Sequence, residues 1–283
     1  MKTIKTIELM QNEIKKIKSQ QKTVGFVPTM GNLHEGHLSL IRKCLKIADV
    51  TVVSIFVNPT QFGPGEDFKQ YPRNIEKDSE ILSREGIDYL FYPDSKEMYP
   101  EDYKTYVKVH DLQDKLCGQF RTGHFKGVCT IVLKLFNIIN PDISFFGQKD
   151  AQQAVIIKQM VKDLNLNIKI HVLPIIREKD GLALSSRNKY LNKEERQAAL
   201  VLSKSLKKAR NLIDNGEKKS SLIINKMGKI IETEPLARID YIDIVNLETL
   251  NSVDRINNQI LIALAVFVGK VRLIDNTIIR IKE

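Results

Sequence analysis

The sequence of 283 residues has no apolar run that approaches the length of a membrane span. A spanning helix needs roughly 18 or more consecutive apolar residues. The first 22 residues also carry too many charges for the apolar centre of a signal peptide. These absences predict a globular protein of the cytoplasm that has no membrane partner.

Cysteine is scarce, with single occurrences at Cys44, Cys117 and Cys129. An odd number of cysteines without a C-x-x-C pair argues against a disulfide framework and against a zinc ribbon. We therefore expect three reduced thiols with structural roles.

The sequence lacks a concentrated basic segment, although its formal net charge is +10. The lysines are spread along the whole chain, and no alternation of aromatic and basic residues accompanies them. The charge alone therefore does not indicate a nucleic-acid partner, because a lysine-rich surface explains it equally well. A smaller anion, such as a nucleotide, stays open.

Short β-branched runs alternate with segments whose apolar residues recur at helical spacing. In chain order the predicted elements are strand 23–27, helix 36–48, strand 50–57, helix 74–86, strand 87–92, helix 125–139, strand 143–146, helix 151–164 and strand 168–173. This alternation predicts the α/β class, with a Rossmann-like parallel sheet and helices on both faces. Such sheets bind ligands at the carboxyl ends of their strands.

The pattern changes after about residue 187. Two amphipathic helices are predicted there, followed by strands and a further apolar run near the C-terminus, and the predicted ranges are 192–215, 220–232, 239–245 and 260–268. The length also exceeds the usual size of one domain. We therefore expect a ligand-binding domain over 1–187 and a smaller α+β lid domain over 188–283.

Residues 28–37, PTMGNLHEGH, lie where the first of these strands gives way to the first of these helices. A metalloprotease helix needs histidines four residues apart, whereas His34 and His37 are three apart and flank Gly36. A helix start favours phosphate, and imidazoles can donate hydrogen bonds to it. The alternative is that both histidines only cap the helix. Two histidines with Gly31 and Gly36 at one turn favour phosphate binding.

Residues 31–37 resemble the HxGH signature of the nucleotidyltransferase superfamily. The longer run PTMGNLHEGH is similar to the signature of the pantothenate synthetase (pantoate–β-alanine ligase) family. Six further segments resemble that family in order and spacing, namely NPTQF at 58–62, YPR at 71–73, GHFKGVCT at 123–130, FGQKD at 146–150, DGLALSSRN at 180–188 and VGKVRLIDN at 268–276. The resemblance spans nearly the full chain.

The resemblance implies an enzyme that condenses D-pantoate with β-alanine. ATP would be the second substrate, pantoyl adenylate the bound intermediate, and AMP and pyrophosphate the products. A homodimer is also implied, with no nucleic-acid partner. We expect a requirement for Mg²⁺ without a dedicated protein site, because the histidines lack metal spacing and Mg²⁺ usually keeps water and nucleotide phosphates as ligands.

The family's site residues can be carried over to matching positions. His34, His37 and Lys149 are the implied catalytic residues, with His37 as a hydrogen-bond donor to developing charge. The implied ATP contacts are Met30, Gly31, Asn32, Leu33, His34, Glu35, Gly36, His37, Gly147, Gln148, Lys149, Asp150, Ile176, Leu184, Ser185, Ser186 and Arg187. Gln61 and Gln153 are implied pantoate contacts, and Gln61 is a possible contact of β-alanine. Asn58, which lies close to Gln61 in sequence, is a third candidate for the substrate site.

Three positions depart from the family pattern. Asn32 replaces a common alanine, Gln148 replaces the glutamate of some members, and Val271 replaces a common threonine. The last change leaves the roles of Lys270 and Arg272 open.

The polar segment 63–73 is expected to fold over the site and keep water from the adenylate. Three other functions predict different behaviour. A nucleotidyltransferase of the same superfamily would keep HxGH but is not expected to carry both NPTQF and FGQKD. A basic RNA-binding module would retain RNA in a salt-dependent way, and a nucleotide sensor would bind ATP without responding to pantoate.

Overall fold

The computed structural model describes residues 1–257 and 259–280. Its helices are α1 (Ile7–Ser19), α2 (Glu35–Leu45), α3 (Ile75–Glu85), α4 (Ser95–Met98), α5 (Cys117–Phe120), α6 (His124–Ile139), α7 (Ala151–Asp163), α8 (Lys193–Ala198), α9 (Leu200–Asp214) and α10 (Ser220–Ile231). Its strands are β1 (Lys2–Ile4), β2 (Val24–Thr29), β3 (Val50–Ile55), β4 (Tyr89–Phe91), β5 (Ile143–Gly147), β6 (Lys169–Leu173), β7 (Ala237–Asn246), β8 (Ile260–Val268) and β9 (Val271–Ile279).

The first six strands form one parallel sheet in the order β1-β4-β3-β2-β5-β6. The chain runs from β2 through β3 to β4, and then returns to place β5 on the other side of β2. The strand order therefore reverses between β2 and β5. In open parallel sheets this switch point leaves a crevice beyond the carboxyl ends of the two strands, where ligands bind.

The predicted α/β fold is confirmed, including the parallel sheet. The sequence interpretation assigns no element before residue 23, whereas the structure has β1 and α1 there. Met10, Ile14 and Ile17 are the buried face of α1, and the Thr6 side chain accepts the N–H of Leu9 at its start. The helical spacing of Met10, Ile14 and Ile17 is present in the sequence, but it lies in a segment rich in lysine, and the sequence interpretation assigns no helix there. The predicted helix 192–215 is divided into α8 and α9 at Ala199.

The last three strands form an antiparallel sheet with β8 in the centre. On β8, Ile262 and Leu264 belong to the apolar core that includes residues of α9 and α10. The alternate residues Leu261 and Ala263 belong to the core of the parallel sheet. Because successive side chains of a strand face opposite sides, β8 is buried between two layers. This arrangement brings β9 close to the carboxyl edge of the parallel sheet.

Within residues 1–257 and 259–280, no helix is both long enough and apolar enough to cross a membrane. The three cysteines are free and buried. Burial raises the pKa of Cys44 to about 11 and of Cys129 to about 12. These two thiols are therefore protonated near neutral pH and pack as apolar groups.

Candidate active site

The loop after β2 is held by a buried carboxylate. Gly31 and Asn32 both have positive φ, at +79° and 51°, so the chain turns sharply there. Asp78 of α3, which is 3% exposed, accepts the backbone N–H of Asn32 at 2.7 Å and of Leu33 at 2.9 Å. Asp78 thereby fixes the backbone that leads into α2.

The two histidines of the HxGH segment use their Nδ1 atoms to cap α2. His34 Nδ1 accepts the N–H of Gly36 at 3.1 Å, and His37 Nδ1 accepts the N–H of His34 at 3.4 Å. A neutral imidazole that accepts at Nδ1 carries its proton on Nε2. Each ring therefore retains one Nε2–H donor. Capping and phosphate binding, which the sequence presents as alternatives, use different nitrogens.

Both imidazoles are neutral near pH 7. Burial, followed by the charge of Lys149, lowers the pKa of His34 to about 4. Burial lowers the pKa of His37 to about 3, and His34 and Lys149 add to the effect. The ring centroids lie 4.1 Å apart, so protonating both would bring two like charges together. The site thus combines two neutral donors with one lysine.

Gly36 makes room for the His34 ring. A Cβ atom at position 36 would lie 2.8 Å from His34 Cε1 and 2.9 Å from His34 Nδ1. Carbon atoms in proteins do not approach so closely without displacement. The glycine in this segment is therefore required by the ring above it, in addition to any effect of opening the helix.

The opposite wall of the crevice is the loop after β5, which contains Lys149. Asn276 of β9 donates from Nδ2 to the carbonyl oxygens of Gln148 at 2.9 Å and Lys149 at 3.0 Å. Gln148 Nε2 donates in return to Asn276 Oδ1 at 3.2 Å. The neighbouring Asp275 accepts two hydrogen bonds from Arg177, at 2.6 and 2.8 Å. The second sheet thus holds the loop that presents Lys149.

Most of the predicted site residues surround one cavity of about 240 Å³ at the switch point. Those that line it are Met30, His34, Gly36, His37, Asn58, Gln61, Gly147, Lys149, Asp150, Gln153, Ile176, Leu184, Ser185, Ser186 and Arg187.

Five predicted residues do not line this cavity, namely Gly31, Asn32, Leu33, Glu35 and Gln148. Asn32 accepts a hydrogen bond from Lys189 through its side chain, and Glu35 pairs with Arg42 at 2.9 Å on the surface.

Asn58 lies behind Gln61. Its Nδ2 atom donates to Gln61 Oε1 and to the carbonyl of Gly127, both at 3.1 Å, and its Oδ1 accepts the Tyr99 hydroxyl at 2.9 Å. Asn58 is 1% exposed and its hydrogen-bonding groups are occupied within the protein. We therefore interpret Asn58 as a residue that positions Gln61, whereas the sequence interpretation places it beside the substrate.

A larger cleft of about 820 Å³ extends from this cavity towards the second sheet. Segment 63–73 reaches its wall, because Asp67 accepts hydrogen bonds from Arg187 Nε at 3.0 Å and Nη2 at 2.8 Å. Lys270 lines this cleft. Arg272 donates to Asp240 at 2.9 Å and thereby joins β9 to β7. This contact supports a structural role for Arg272, whose side chain also lines the cleft.

Sequence reasoning assigned no role to four residues that shape the site, namely Asp78, Arg121, His124 and Asn276. Arg121, His124 and Asn276 lie in or beside segments quoted for the family resemblance, which is the available signal. The role of Asp78 depends on a contact with a loop 45 residues earlier in the chain. Nothing in its local sequence indicates that contact.

Two neutral imidazole donors, a lysine and the positive end of a helix meet at the switch point of a parallel sheet. Because these groups favour phosphate oxygens, the fold and the site define an α/β protein of the nucleotide-binding class.

The family model for pantoate–β-alanine ligase matches residues 2–278. The chain is 53% identical over 281 residues to the pantothenate synthetase of Caldicellulosiruptor saccharolyticus, covering 99% of this chain and 100% of the relative. It is 55% identical over 279 residues to the pantothenate synthetase of Thermosipho africanus, with coverage of 99% and 100%. The chain therefore belongs to the pantoate–β-alanine ligase family.

Solved structures agree. A crystal structure of pantothenate synthetase from Thermus thermophilus matches with a TM-score of 0.93 and 39% identity, covering 98% of this chain and 99% of that one. The pantoate–β-alanine ligase of Francisella tularensis, solved as a complex with β,γ-ATP and β-alanine, matches with a TM-score of 0.80 and 37% identity, covering 98% and 97%. The predicted family is confirmed.

Proposed function

We propose that the cavity at the switch point carries out both half-reactions of the ligase through pantoyl adenylate. The chain belongs to a family of ligases that join pantoate to β-alanine with ATP. The observation that supports this most directly is the pair of Nε2–H donors beside Lys149 at the start of α2. The Francisella enzyme was solved in complex with β,γ-ATP and β-alanine, which supports the same substrates here.

In the first half-reaction the pantoate carboxylate attacks the α-phosphorus, and pyrophosphate leaves. Negative charge grows on the phosphate oxygens, so positioned donors stabilise the transition state more than the ground state. We assign the Nε2–H groups of His34 and His37 to these oxygens, and the Lys149 ammonium to charge neutralisation. Neither imidazole has to transfer its proton, because pyrophosphate can leave without one.

Ser185, Ser186 and Arg187 line the same cavity and are assigned to the nucleotide phosphates. Two hydroxyls and a guanidinium suit an anion that is bound and then released. Gln61 and Gln153 are assigned to pantoate, since neutral amides can fix its hydroxyls without neutralising the reacting carboxylate. Met30, Val128 and Ile131 supply an apolar surface for its methyl groups, and they complete a partly apolar pocket.

In the second half-reaction the neutral amine of β-alanine attacks the acyl carbon of the adenylate. A carbon–nitrogen bond forms, the carbon–oxygen bond to AMP breaks, and the amine loses a proton. An amine of ordinary pKa is mostly protonated near pH 7, so the site must accept the minor neutral form. Segment 63–73 is assigned to excluding water, which would otherwise hydrolyse the adenylate.

Magnesium is proposed as a companion of ATP. Among residues 1–257 and 259–280 there is no group of three or more histidine, cysteine or acidic side chains arranged to hold a metal ion. Asp150 lines the cavity and is the carboxylate beside Lys149. One carboxylate with phosphate oxygens and water fits the usual ligand set of Mg²⁺. The ion would neutralise phosphate charge there.

The remaining proposals concern the whole protein. We propose that residues 188–283 act as a lid over 1–187, because Asn276 of β9 holds the loop of Lys149 and Asp275 of β9 pairs with Arg177. A homodimer and a cytoplasmic location are proposed from the family resemblance. Light scattering coupled to gel filtration checks the dimer, for which the measured mass should be twice that of the chain.

Exchange of labelled pyrophosphate into ATP tests the proposed function. In the absence of β-alanine, exchange should require pantoate, because only a reversible adenylate returns pyrophosphate to ATP. A nucleotide sensor gives no exchange, an RNA-binding module gives none, and a nucleotidyltransferase for another substrate gives none with pantoate. Absence of pantoate-dependent exchange would refute the proposed mechanism.

A further inference from the structure

An arginine beside the cavity is paired with a carboxylate of the covering segment. Arg121 donates to Glu66 through Nε at 2.8 Å and through Nη2 at 2.7 Å. The pair is mostly shielded, since the side chains of Arg121 and Glu66 are 17% and 25% exposed. Paired N–H donors of this geometry match a carboxylate better than any other common anion except phosphate.

Arg121 lies at the junction of the two cavities. It lines both the cavity of about 240 Å³ and the cleft of about 820 Å³, as do Lys149 and Gln153. A group bound to Arg121 is therefore open to the larger cleft and directed towards the site of adenylate formation. Glu66 also lines the larger cleft but not the smaller cavity.

A histidine fixes Arg121 relative to Gln61. Burial, then the charge of Arg121, lowers the pKa of His124 to about 4, so its ring is neutral. Arg121 Nη1 donates to His124 Nε2 at 3.0 Å, which leaves the ring proton on Nδ1, and Nδ1 donates to the carbonyl of Gln61 at 2.8 Å. A Cβ at Gly127 would lie 2.4 Å from the Thr60 carbonyl oxygen, so α6 packs directly on this turn.

We propose that Arg121 binds the carboxylate of β-alanine, and that Glu66 occupies this position when β-alanine is absent. The inference rests on the proposed reaction. Of the two substrate carboxylates, that of pantoate is the nucleophile, and two hydrogen bonds to a guanidinium would reduce its reactivity. The carboxylate of β-alanine takes no part in the chemistry and stays charged throughout. A fixed arginine near Gln61 can therefore hold it while the amine reaches the acyl carbon.

Arg187 is less suited to this role. Its guanidinium pairs with Asp67, and its neighbours Ser185 and Ser186 supply hydroxyl donors that suit phosphate oxygens. Among the residues that the structure describes, the side-chain partners of the Arg121 guanidinium are His124 and Glu66. The consecutive acidic residues Glu66 and Asp67 thus pair with two arginines that we assign to two different anions.

The first test is Arg121→Gln. The KM for β-alanine should rise roughly 10- to 100-fold, the loss expected for charge-assisted hydrogen bonds. Pantoate-dependent pyrophosphate exchange, which needs no β-alanine, should keep the parental rate and the parental KM for pantoate. Arg84→Gln is the matched control, because Arg84 pairs with Glu80 on an exposed face of α3. It should change neither measurement.

A comparison of two amines isolates the carboxylate. The parental enzyme should use β-alanine much better than β-alaninamide, which has the same length but no carboxylate. In Arg121→Gln this preference should shrink towards equality, because the group that distinguishes them is gone. A preference that is unchanged in the variant would overturn the proposal. So would a raised KM for pantoate, or a loss of exchange, since either assigns Arg121 to the first half-reaction.

Glu66→Gln provides an independent measurement that keeps Arg121. Removing the competing carboxylate should lower the KM for β-alanine on the order of threefold or more. An unchanged or raised KM would contradict the role of Glu66 as a competitor. These outcomes are distinct from a failure of the proposed function, in which the parental enzyme itself shows no pantoate-dependent exchange.

Discussion

The two nitrogens of each imidazole in the HxGH segment have separate roles. Nδ1 accepts a backbone N–H and orients the ring, whereas Nε2 carries the proton that can reach a ligand. Because the pKa values of His34 and His37 are about 4 and 3, the donors do not depend on pH near neutrality. Lys149 is the charged member of this group.

His37→Ala should slow formation of pantoyl adenylate, because one donor to the developing charge is lost. Chemically made pantoyl adenylate with β-alanine should largely restore the reaction, since the pyrophosphate has already left. The measurement compares the complete reaction with the reaction started from the adenylate. If both are equally impaired, His37 acts in amide formation or in folding, and its assignment to the phosphates is wrong.

Lys149→Ala should reduce the rate of adenylate formation on the order of 10²-fold, the usual size for a preorganised electrostatic contact. The thermal midpoint of unfolding should change little, because the Lys149 ammonium has no role in the core. Lys158→Ala is the control, since Lys158 lies on the exposed face of α7. A variant at position 149 that forms adenylate at the parental rate would contradict the assignment.

At the scale of elements, glycine in a helix usually lowers stability, and replacement by alanine raises it. Gly36 and Gly228 lie in α2 and α10 and differ in what a Cβ would meet. At Gly36 the nearest atom is His34 Cε1 at 2.8 Å, and at Gly228 it is Ile239 Cδ1 at 3.9 Å. The same substitution therefore tests two different effects.

Gly228→Ala should raise the free energy of unfolding by about 0.5–1 kcal/mol without changing activity. Gly36→Ala should raise the free energy of unfolding much less than Gly228→Ala does, because the His34 ring has to move. It should also sharply reduce the rate of adenylate formation. Urea-induced unfolding and pyrophosphate exchange measure the two effects. Equal stabilisation of both variants with parental exchange would show that the ring does not need the glycine.

At the scale of the whole molecule, three partly buried histidines make stability depend on pH. The pKa values of His34, His37 and His124 lie at about 4, 3 and 4, below the ordinary value of 6.5. Above 6.5 neither the folded nor the unfolded chain binds these protons. Between 6.5 and about 4 the unfolded chain binds protons that the folded chain does not, so acid favours unfolding.

The free energy of unfolding should therefore be nearly constant between about pH 8 and 7 and should fall as the pH drops towards 5, by up to about 1.4 kcal/mol per pH unit for each histidine. Urea-induced unfolding of the ligand-free protein measures this slope. His124→Gln should reduce this slope by the contribution of one histidine, up to about 1.4 kcal/mol per pH unit. A stability that does not change between pH 7 and 5 would be inconsistent with imidazoles that stay neutral in the folded protein.

Local sequence determined a large part of this protein. The β-branched run of β3 and the apolar spacing of α7 could be interpreted directly, because burial of one face imposes a period on the residues that form it. The PTMGNLHEGH segment indicated phosphate binding, since glycine and histidine at a helix start have few other uses in combination. The parallel sheet followed from the alternation of these elements.

Only the tertiary structure decided how distant segments complete the site. Asp78 fixes the Asn32 backbone across 46 residues, and Asn276 holds the Lys149 loop across 127 residues. It also decided that Asn58 supports Gln61 and that Glu66 pairs with Arg121. Hydrogen bonds between distant residues leave no periodic pattern in the sequence, because each depends on the packing of whole elements. The sequence therefore supplied the chemical groups, and packing determined their partners.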